Sequence, residues 1–379
     1  MVDGIRLLWV GWRGMGTLHD GTDVTRAAGA ELLREHADPY AADRPPLAVD
    51  RQRVIHSAAF RRLQYKTQVF VERKSDHFRS RLTHTLEVAY LSRTIAERLR
   101  VNSELAEVVA LAHDLGHPPF GHAGERALDA CVQAHSGGAR MFEHNEHSLR
   151  VVEQLEHPYP EFHGLNLTRA VRRCLRTHRT KFDRAADESV AVAPLESRVV
   201  AQADYLTYTF HDLADGVYAG LIAPDDLAAL DLWRAGYAGP EPMTEEVCRR
   251  YLRPSIERMQ RALIDDLLET FLARPHEVGE DTDLTLSDEG EALLSPLDEL
   301  LTHKVYHDAG VRRADDAARR TLSALFDAYV ATPALLPARF LERIGPQDAL
   351  AVVTDYVAGM TDRFCQAEHA RIIGGSESA

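Results

Sequence analysis

His-Asp-Leu-Gly-His-Pro-Pro-Phe-Gly-His-Ala-Gly-Glu is the sequence of residues 113–125, and the rest of the chain is predicted to be organised around it. Three imidazoles and two carboxylates fall within this stretch, among glycines and prolines that force the backbone to turn. Imidazole binds transition metals and carries protons near neutral pH, and a carboxylate adds an anionic ligand. A helix boundary also collects Asp, Gly and Pro, but it rarely needs three histidines. The stretch therefore predicts a metal or proton-transfer site.

The sequence on both sides has the three- and four-residue periodicity of amphipathic helices. In 83–100 the apolar residues share one face, and the helix predicted over 105–112 runs directly into His113. Further helices are predicted at 51–68, 127–134, 146–155, 167–178, 197–213 and 243–272. Strand signals are scarce, so the predicted fold class is all-α, with one short β-hairpin arm near residues 68–78.

Composition divides the chain into three predicted sections. Residues 1–50 are rich in Gly, Ala, Asp and Pro and are expected to form an irregular arm. Residues 51–275 form the core, and residues 276–379 form a C-terminal helical section packed on it. The acidic stretch 277–291 is predicted to be a surface loop between the core and the C-terminal helical section.

Charge and cysteine content limit the classes of partner. The net charge is −14, which argues against a long nucleic acid, but residues 51–81 are rich in Arg and Lys. This stretch fits a small polyanion, although a solvated surface is the ordinary alternative. The four cysteines lie far apart without a paired motif, so we expect a reducing, cytoplasmic setting. The apolar stretch 5–13 is too short to cross a bilayer, and no membrane association is expected.

Two further positions could join the central stretch in one site. His84 lies at the start of an amphipathic helix, where a single histidine is more often a core or capping residue. Asp204 lies on a helix whose one side also carries Tyr208, His211, Asp212 and Asp215. A purely acidic stripe would indicate solvent, whereas carboxylates mixed with Tyr and His beside an apolar face resemble the wall of a pocket.

His84, then His113-Asp114, then Asp204 reproduce the H…HD…D signature of the HD metal-dependent phosphohydrolase superfamily. Residues 53–70, 113–125, 142–152 and 164–168 and the Asp204 helix resemble more narrowly the deoxyguanosinetriphosphate triphosphohydrolase family. The resemblance implies an HD-domain fold and four metal ligands, which are His84, His113, Asp114 and Asp204. Such a mixed nitrogen and oxygen set suits a divalent cation, Mn²⁺ or Mg²⁺ before others.

The resemblance also implies a reaction, the hydrolysis of a deoxynucleoside triphosphate to deoxynucleoside and inorganic triphosphate. His122 with Glu125 behind it matches the family's catalytic pair, and the sequence leaves open whether His122 acts on the leaving group or on the attacking side. The positions that match substrate contacts are Arg81 and His117 for the phosphates and Gln68, Tyr208 and Asp212 for the sugar. Tyr205 stands where some dNTP hydrolases carry a phosphate-binding Lys and others an acid, so part of the contact with the triphosphate must come from elsewhere. Lys181, Arg184 and a C-terminal Arg are the candidate sources.

Other functions are compatible with the same ligands. An HD phosphohydrolase could act on another nucleotide, such as a nucleoside monophosphate or an alarmone. A third hypothesis is a regulator that binds a nucleotide or single-stranded nucleic acid without turnover. Such a regulator has no need of a His–Glu pair for proton transfer. The family resemblance implies a homo-oligomer, with a hexamer among the expected sizes, and a nucleotide or single-stranded DNA effector.

Overall fold

The computed structural model describes residues 29–41, 44–70, 78–179, 193–274 and 283–374, and every regular element within these ranges is helical. The α-helices are α1 (Pro46–His56), α2 (Ala58–Arg62), α3 (Arg81–Leu99), α4 (Ser103–Ala112), α5 (Gly121–Ser136), α6 (His144–Arg150), α7 (Arg169–Thr177), α8 (Leu195–Tyr218), α9 (Pro224–Ala228), α10 (Asp231–Gly236), α11 (Glu245–Leu272), α12 (Asp288–Leu301), α13 (Ala309–Ala331), α14 (Ala338–Leu341), α15 (Ala349–Ala358) and α16 (Asp362–Ile372). Short 3₁₀ or π segments are Gly29–Leu32, Leu63–Tyr65, Val151–Leu155, Thr302–Tyr306 and Pro333–Leu335. The all-α prediction is confirmed.

Several predicted boundaries differ from the observed ones. The single helix expected over 51–68 is divided at Ser57, whose extended backbone ends α1 and whose Oγ accepts a hydrogen bond from Phe60 N at 3.1 Å to cap α2. Residues 46–50 of the expected irregular arm already belong to α1. The last residues of the expected loop 277–291 begin α12, because the Ser287 side chain caps that helix.

The predicted hairpin arm near residues 68–78 falls largely on residues 71–77, which lie outside the described ranges. Next to this segment, Thr67 and Ser80 form one isolated antiparallel bridge. Ser80 then starts α3 through a reciprocal capping box, in which its Oγ accepts from Thr83 N and its own N–H donates to Thr83 Oγ1. The entry into α3, and with it the position of His84, is therefore fixed.

Two hydrophobic cores meet at the 113–125 stretch. Buried residues of α1, α3, α4, α7, α8 and α11 form the larger core, which includes Leu115. Buried residues of α5, α13 and α15 form the second, which includes Phe120. Leu115 and Phe120 lie on either side of Pro118 and Pro119, which break the helix. The turn between α4 and α5 therefore runs where the two cores join, and it carries the polar side chains of the 113–125 stretch there.

The turn itself is held against α6. Gly116 N donates to Ser148 Oγ at 2.8 Å, and Ser148 Oγ donates to the carbonyl of His113 at 2.5 Å. A Cβ atom on residue 116 would lie 2.1 Å from Ser148 N, so only glycine allows this approach. Phe120 follows with a φ of 65°, which redirects the chain into α5.

All four cysteines are buried and free of disulfides. In the described part of the chain, no helix combines the length and the apolar character needed to cross a membrane.

Candidate metal centre and active site

Three helices bring the four sequence-predicted ligands together. His84 lies in the first turns of α3, His113 and Asp114 follow the end of α4, and Asp204 lies within α8. His84 Nε2 is 2.9 Å from Asp204 Oδ1, and His113 Nε2 is 3.7 Å from the same oxygen. His113 Nε2 is also 3.8 Å from Asp114 Oδ1. Two nitrogens and two oxygens therefore converge on one small volume, as a mononuclear site requires.

The hydrogen bonds of His113 fix its tautomer. Its Nδ1 is 2.6 Å from the carbonyl oxygen of Ala110, which can only accept, so Nδ1 carries the proton. Nε2 is consequently a lone-pair atom, and it is buried with no hydrogen-bond partner in the described ranges. A histidine oriented in this way by a backbone carbonyl is prepared to ligate a metal.

His84 is oriented by a longer chain of hydrogen bonds. Glu87 Oε2 lies 2.6 Å from His211 Nε2, and His211 Nδ1 lies 3.3 Å from His84 Nδ1. Although burial opposes ionisation of Glu87, the hydrogen bond from His211 and the charges nearby lower its pKa to about 2, and burial lowers the pKa of His211 to about 4. Neutral His211 therefore donates to the Glu87 carboxylate and accepts from His84 Nδ1–H.

This series of hydrogen bonds leaves His84 Nε2 as an acceptor that faces the Asp204 carboxylate at 2.9 Å. Two acceptors at that distance repel unless a cation or a proton lies between them, so the donor set fits a divalent cation. His211 was predicted only as part of the polar stripe on α8. Its orienting role depends on contact with α3, which the sequence does not reveal.

Asp114 divides its two oxygens between the ligand cluster and Arg81. Oδ1 faces His113, whereas Oδ2 accepts from Arg81 Nη1 at 2.8 Å. Burial alone would raise the pKa of Asp114, but Arg81 and the neighbouring histidines hold it well below its usual value. Arg81 is itself buried, and its Nε and Nη2 have no hydrogen-bond partner among the described residues. These two donors are available to an anionic ligand beside the cation site.

A second cluster of imidazoles surrounds Glu125. Its Oε2 is 3.4 Å from Nδ1 of the exposed His122, and its Oε1 is 2.7 Å from Nδ1 of the buried His144. Burial opposes ionisation of Glu125, yet His144, His122 and His117 keep its pKa well below the usual value. The side chain of Glu125 thus orients two imidazoles.

His144 lies in the segment 142–152, which resembles the family, but no role was predicted for it. The structure brings it into the site. The His117 ring packs against that of His144, with centroids 4.8 Å apart and the ring planes tilted by 36°. Burial first, and then the charges of Arg81 and His144, lower the pKa of His117 well below the ordinary value, so His117 is neutral. Its Nε2 has no hydrogen-bond partner in the ranges that the structure covers.

Two of the predicted sugar contacts, Tyr208 and Asp212, lie near Tyr306, and Tyr208 also lies near His122. The Tyr208 ring is 6.3 Å from the His122 ring and 6.2 Å from that of Tyr306, and Tyr306 OH donates to Asp212 Oδ2. Burial raises the pKa of Asp212 to about 8, and Asp215 adds to the shift against the hydrogen bonds of the two tyrosines. Tyr306 comes from the π segment Thr302–Tyr306 and was not predicted.

Two other predicted positions can be placed. Gln68 is buried, and its Oε1 has no hydrogen-bond partner among the described residues. Tyr205 OH donates to Asp298 Oδ2 at 2.5 Å, so this hydroxyl hydrogen-bonds within the helical core. Lys181 and Arg184, considered for the phosphate grip, lie outside the described ranges.

Comparison with known proteins agrees with this geometry. The family model described as the HD domain matches residues 81–209, and the model described as the phosphohydrolase-associated domain matches residues 284–371. A deoxyguanosinetriphosphate triphosphohydrolase-like protein of Bordetella pertussis is 41% identical over 363 residues, covering 89% of this chain and 92% of the relative. Proteins with the same description from Geobacter sulfurreducens and Thiobacillus denitrificans are 38% and 40% identical, covering 89% and 91% of this chain and 91% and 95% of those relatives.

The helical fold, the HD match and the His–Asp cluster define a metal-dependent HD phosphohydrolase. At about 40% identity along nearly the whole of the relatives, the chain belongs to the deoxyguanosinetriphosphate triphosphohydrolase-like family of HD-domain proteins.

Proposed function

We propose that this protein hydrolyses deoxynucleoside triphosphates to deoxynucleosides and inorganic triphosphate. The supporting observation is a series of neighbouring environments in the site, linked by pairwise contacts. A two-His, two-Asp centre is followed by the buried unpaired donors of Arg81, then by the imidazoles around Glu125, and then by the Tyr208 and Asp212 pair. These environments match in order a cation-bound phosphate, a leaving oxygen and a deoxyribose.

The proposed ligands of the cation are His84, His113, Asp114 and Asp204, and Mn²⁺ or Mg²⁺ is the proposed metal. A bound divalent cation supplies Lewis-acid activation of water and of a phosphate oxygen. Arg81 adds two N–H donors at fixed positions, which suits the charge that develops on a phosphoryl group. We assign His117 to a contact with the same triphosphate, which requires the tautomer that carries its proton on Nε2 instead of donating from Nδ1 to the Pro118 carbonyl.

The 5′ alkoxide is a poor leaving group near neutral pH, so its departure requires a proton donor. Glu125 orients both His122 and His144, and we assign proton transfer to these two imidazoles. His144 has the shorter bond to Glu125, whereas His122 is exposed and closer to the tyrosine ring. Comparing kcat for His122→Asn and His144→Asn identifies the proton donor, because its loss lowers kcat with little change in KM.

Sugar selection is assigned to Tyr208, Asp212 and Gln68. We assign the exclusion of a 2′-hydroxyl to contact with the ring of Tyr208, and the binding of a 3′-hydroxyl to the unpaired Oδ1 of Asp212 and Oε1 of Gln68.

We further propose a cytoplasmic homo-oligomer, a hexamer among the expected sizes, with a nucleotide or single-stranded DNA effector. The reduced cysteines support the compartment. Leu86 and Tyr90, which are 50% and 73% exposed one turn apart on α3, form a small apolar patch that supports a subunit contact. A cleft of about 1060 Å³ is the proposed place for a second anionic ligand, because it is lined by Arg61 and Arg339 besides Arg62 and Arg343, which pair with Glu156 and Asp355.

Anion-exchange analysis of the products with each dNTP and Mn²⁺ tests the proposed reaction. We expect deoxynucleoside and triphosphate from the wild type, no product from His113→Ala or Asp204→Ala, and normal turnover from the control His303→Ala, which alters an exposed histidine. Orthophosphate or pyrophosphate would assign a different nucleotide reaction. Turnover that survives chelation would contradict the metal role. Salt-dependent single-stranded DNA binding without turnover would favour a regulator.

A further inference from the structure

His178 is a buried histidine of the metal centre to which the sequence motifs give no role. It follows α7 directly, is 1% exposed, and lies with its ring 5.5 Å from that of His113. Neither ring nitrogen has a hydrogen-bond partner in the part of the chain that the structure covers. Burying unpaired polar atoms costs about 1–3 kcal/mol each. A side chain placed at that cost beside metal ligands requires a functional explanation.

The backbone on both sides of His178 is anchored. Ser197 Oγ donates to the carbonyl of Cys174 at 2.9 Å, which ties the end of α7 to the start of α8. After His178, the Arg179 guanidinium donates to the His178 carbonyl at 2.6 Å and lies 3.3 Å from Glu143 Oε2. The imidazole is therefore held in the centre by its neighbours in sequence and by α8, the helix that carries Asp204.

The two oxygens of Asp204 face different groups. Oδ1 is 2.9 Å from His84 Nε2 and 3.7 Å from His113 Nε2, so it points to the proposed cation. Oδ2 points the other way and lies 3.7 Å from His178 Nε2. A carboxylate that ligates a metal through one oxygen is commonly held by a hydrogen bond at the other.

We propose that His178 is a positioning residue whose Nε2–H donates to Asp204 Oδ2 and so keeps Oδ1 directed at the cation. The contact requires the two atoms to approach from 3.7 Å to a charge-assisted hydrogen bond of about 2.8 Å. A small rotation of either side chain supplies this movement. The inference deepens the proposed metal-dependent function, and it rests on that function for the presence of a divalent cation.

Substitutions that keep or remove one nitrogen test the assignment. Gln places its amide nitrogen near the position of imidazole Nε2, whereas Asn places it near Nδ1 and Leu has no donor. We expect His178→Leu and His178→Asn to weaken Mn²⁺ binding at least about tenfold by titration calorimetry without substrate, and His178→Gln to stay within about threefold of the wild type. His303→Gln serves as the control, and thermal unfolding of each metal-free variant checks that it folds.

Unchanged Mn²⁺ affinity in His178→Leu and His178→Asn would overturn the inference, as would equal losses in the Asn and Gln variants. Electron spin echo measurements on bound Mn²⁺ provide a second test, because they count coordinated imidazoles. Two coordinated imidazoles in the wild type and in His178→Gln are expected. Three in the wild type and two in the variant would identify His178 as a ligand and overturn the positioning role.

Because affinity is measured without nucleotide, the inference and the proposed reaction fail separately. Triphosphate release with unchanged metal affinity in the His178 variants would refute only the inference. The expected affinity losses without triphosphate release from any dNTP would refute only the proposed reaction.

Discussion

Asp212 provides a direct test of the electrostatics on the sugar side of the site. The residue is 0% exposed, its Oδ2 accepts from Tyr306, and its Oδ1 has no hydrogen-bond partner among the described residues. Burial, with a further contribution from Asp215, raises its pKa to about 8 against the opposing effects of the tyrosine hydrogen bonds and Arg79, so Asp212 is largely protonated in the folded protein at neutral pH. Asp212→Asn replaces this acid by a neutral side chain of the same size that can still accept from Tyr306.

The size and sign of the effect follow from proton linkage. Between the ordinary pKa of 3.8 and about 8, the folded protein binds the Asp212 proton more tightly than the unfolded chain does. This contribution to wild-type stability is fully present below pH 3.8 and is lost as the pH rises through about 8. The unfolding free energy of Asp212→Asn minus that of the wild type should therefore rise by about 1.4 kcal/mol per pH unit, and by up to about 5 kcal/mol over the whole range.

Urea unfolding followed by circular dichroism between pH 5.5 and 7.5, in the presence of a chelator, measures this difference. We expect it to increase by roughly 3 kcal/mol over these two units. Asp316→Asn, at a largely exposed position, is the control and should change little. A difference for Asp212→Asn that does not vary with pH, or that falls as the pH rises, would refute the reasoning, since Asp212 would then be ionised throughout.

Three further predictions concern other parts of the site. Arg81→Met removes the partner of a buried carboxylate and should lower the unfolding free energy of the metal-free protein by about 3–5 kcal/mol in urea titrations; wild-type stability would contradict the buried ion pair. His211→Leu removes the acceptor of the His84 proton and should weaken Mn²⁺ binding by about 10- to 100-fold in calorimetry. An affinity equal to that of a His303→Leu control would argue against the orientation of His84 by His211. Gly116→Ala should cost about 3 kcal/mol in thermal or urea unfolding, whereas Gly374→Ala, where a Cβ meets nothing, should be nearly neutral; two neutral variants would exclude the tight approach to α6.

The fold class and the convergence of the four ligand positions could be inferred from sequence. Helical periodicity is strong in the segments that became α3, α4 and α8, and these helices carry His84, His113 and Asp204. The unusual density of histidine and glycine in 113–125 marked the turn that joins the two cores. Local patterns placed each of these residues at a helix end or on a helix face, but the family resemblance was needed to select the four as one set of ligands.

The remaining site residues could not be inferred, because their roles depend on contacts between distant segments. Tyr306 reaches Asp212 from a π segment in the C-terminal section, 94 positions along the chain. His144 joins Glu125 across the turn between α5 and α6. His178 occupies the C-terminal cap of a helix, a position where a histidine is ordinarily a favourable interaction with the helix dipole. Only its burial beside Asp204 distinguishes it from that ordinary case.

In the proposed site, the division of Asp114 between two partners favours one cation and an adjacent anion. Asp114, His117 and His144 lie close enough together to suggest a second metal. However, Asp114 Oδ2 already accepts from Arg81 Nη1, and the two unpaired donors of Arg81 add positive charge beside that position. A second cation there would face a buried guanidinium in a medium of low dielectric constant, where repulsion between like charges is strong. A phosphate oxygen at the same place would be attracted by Arg81 and would accept from its donors. The position beside Asp114, His117 and His144 is therefore better suited to the phosphate chain of a substrate than to a second metal ion.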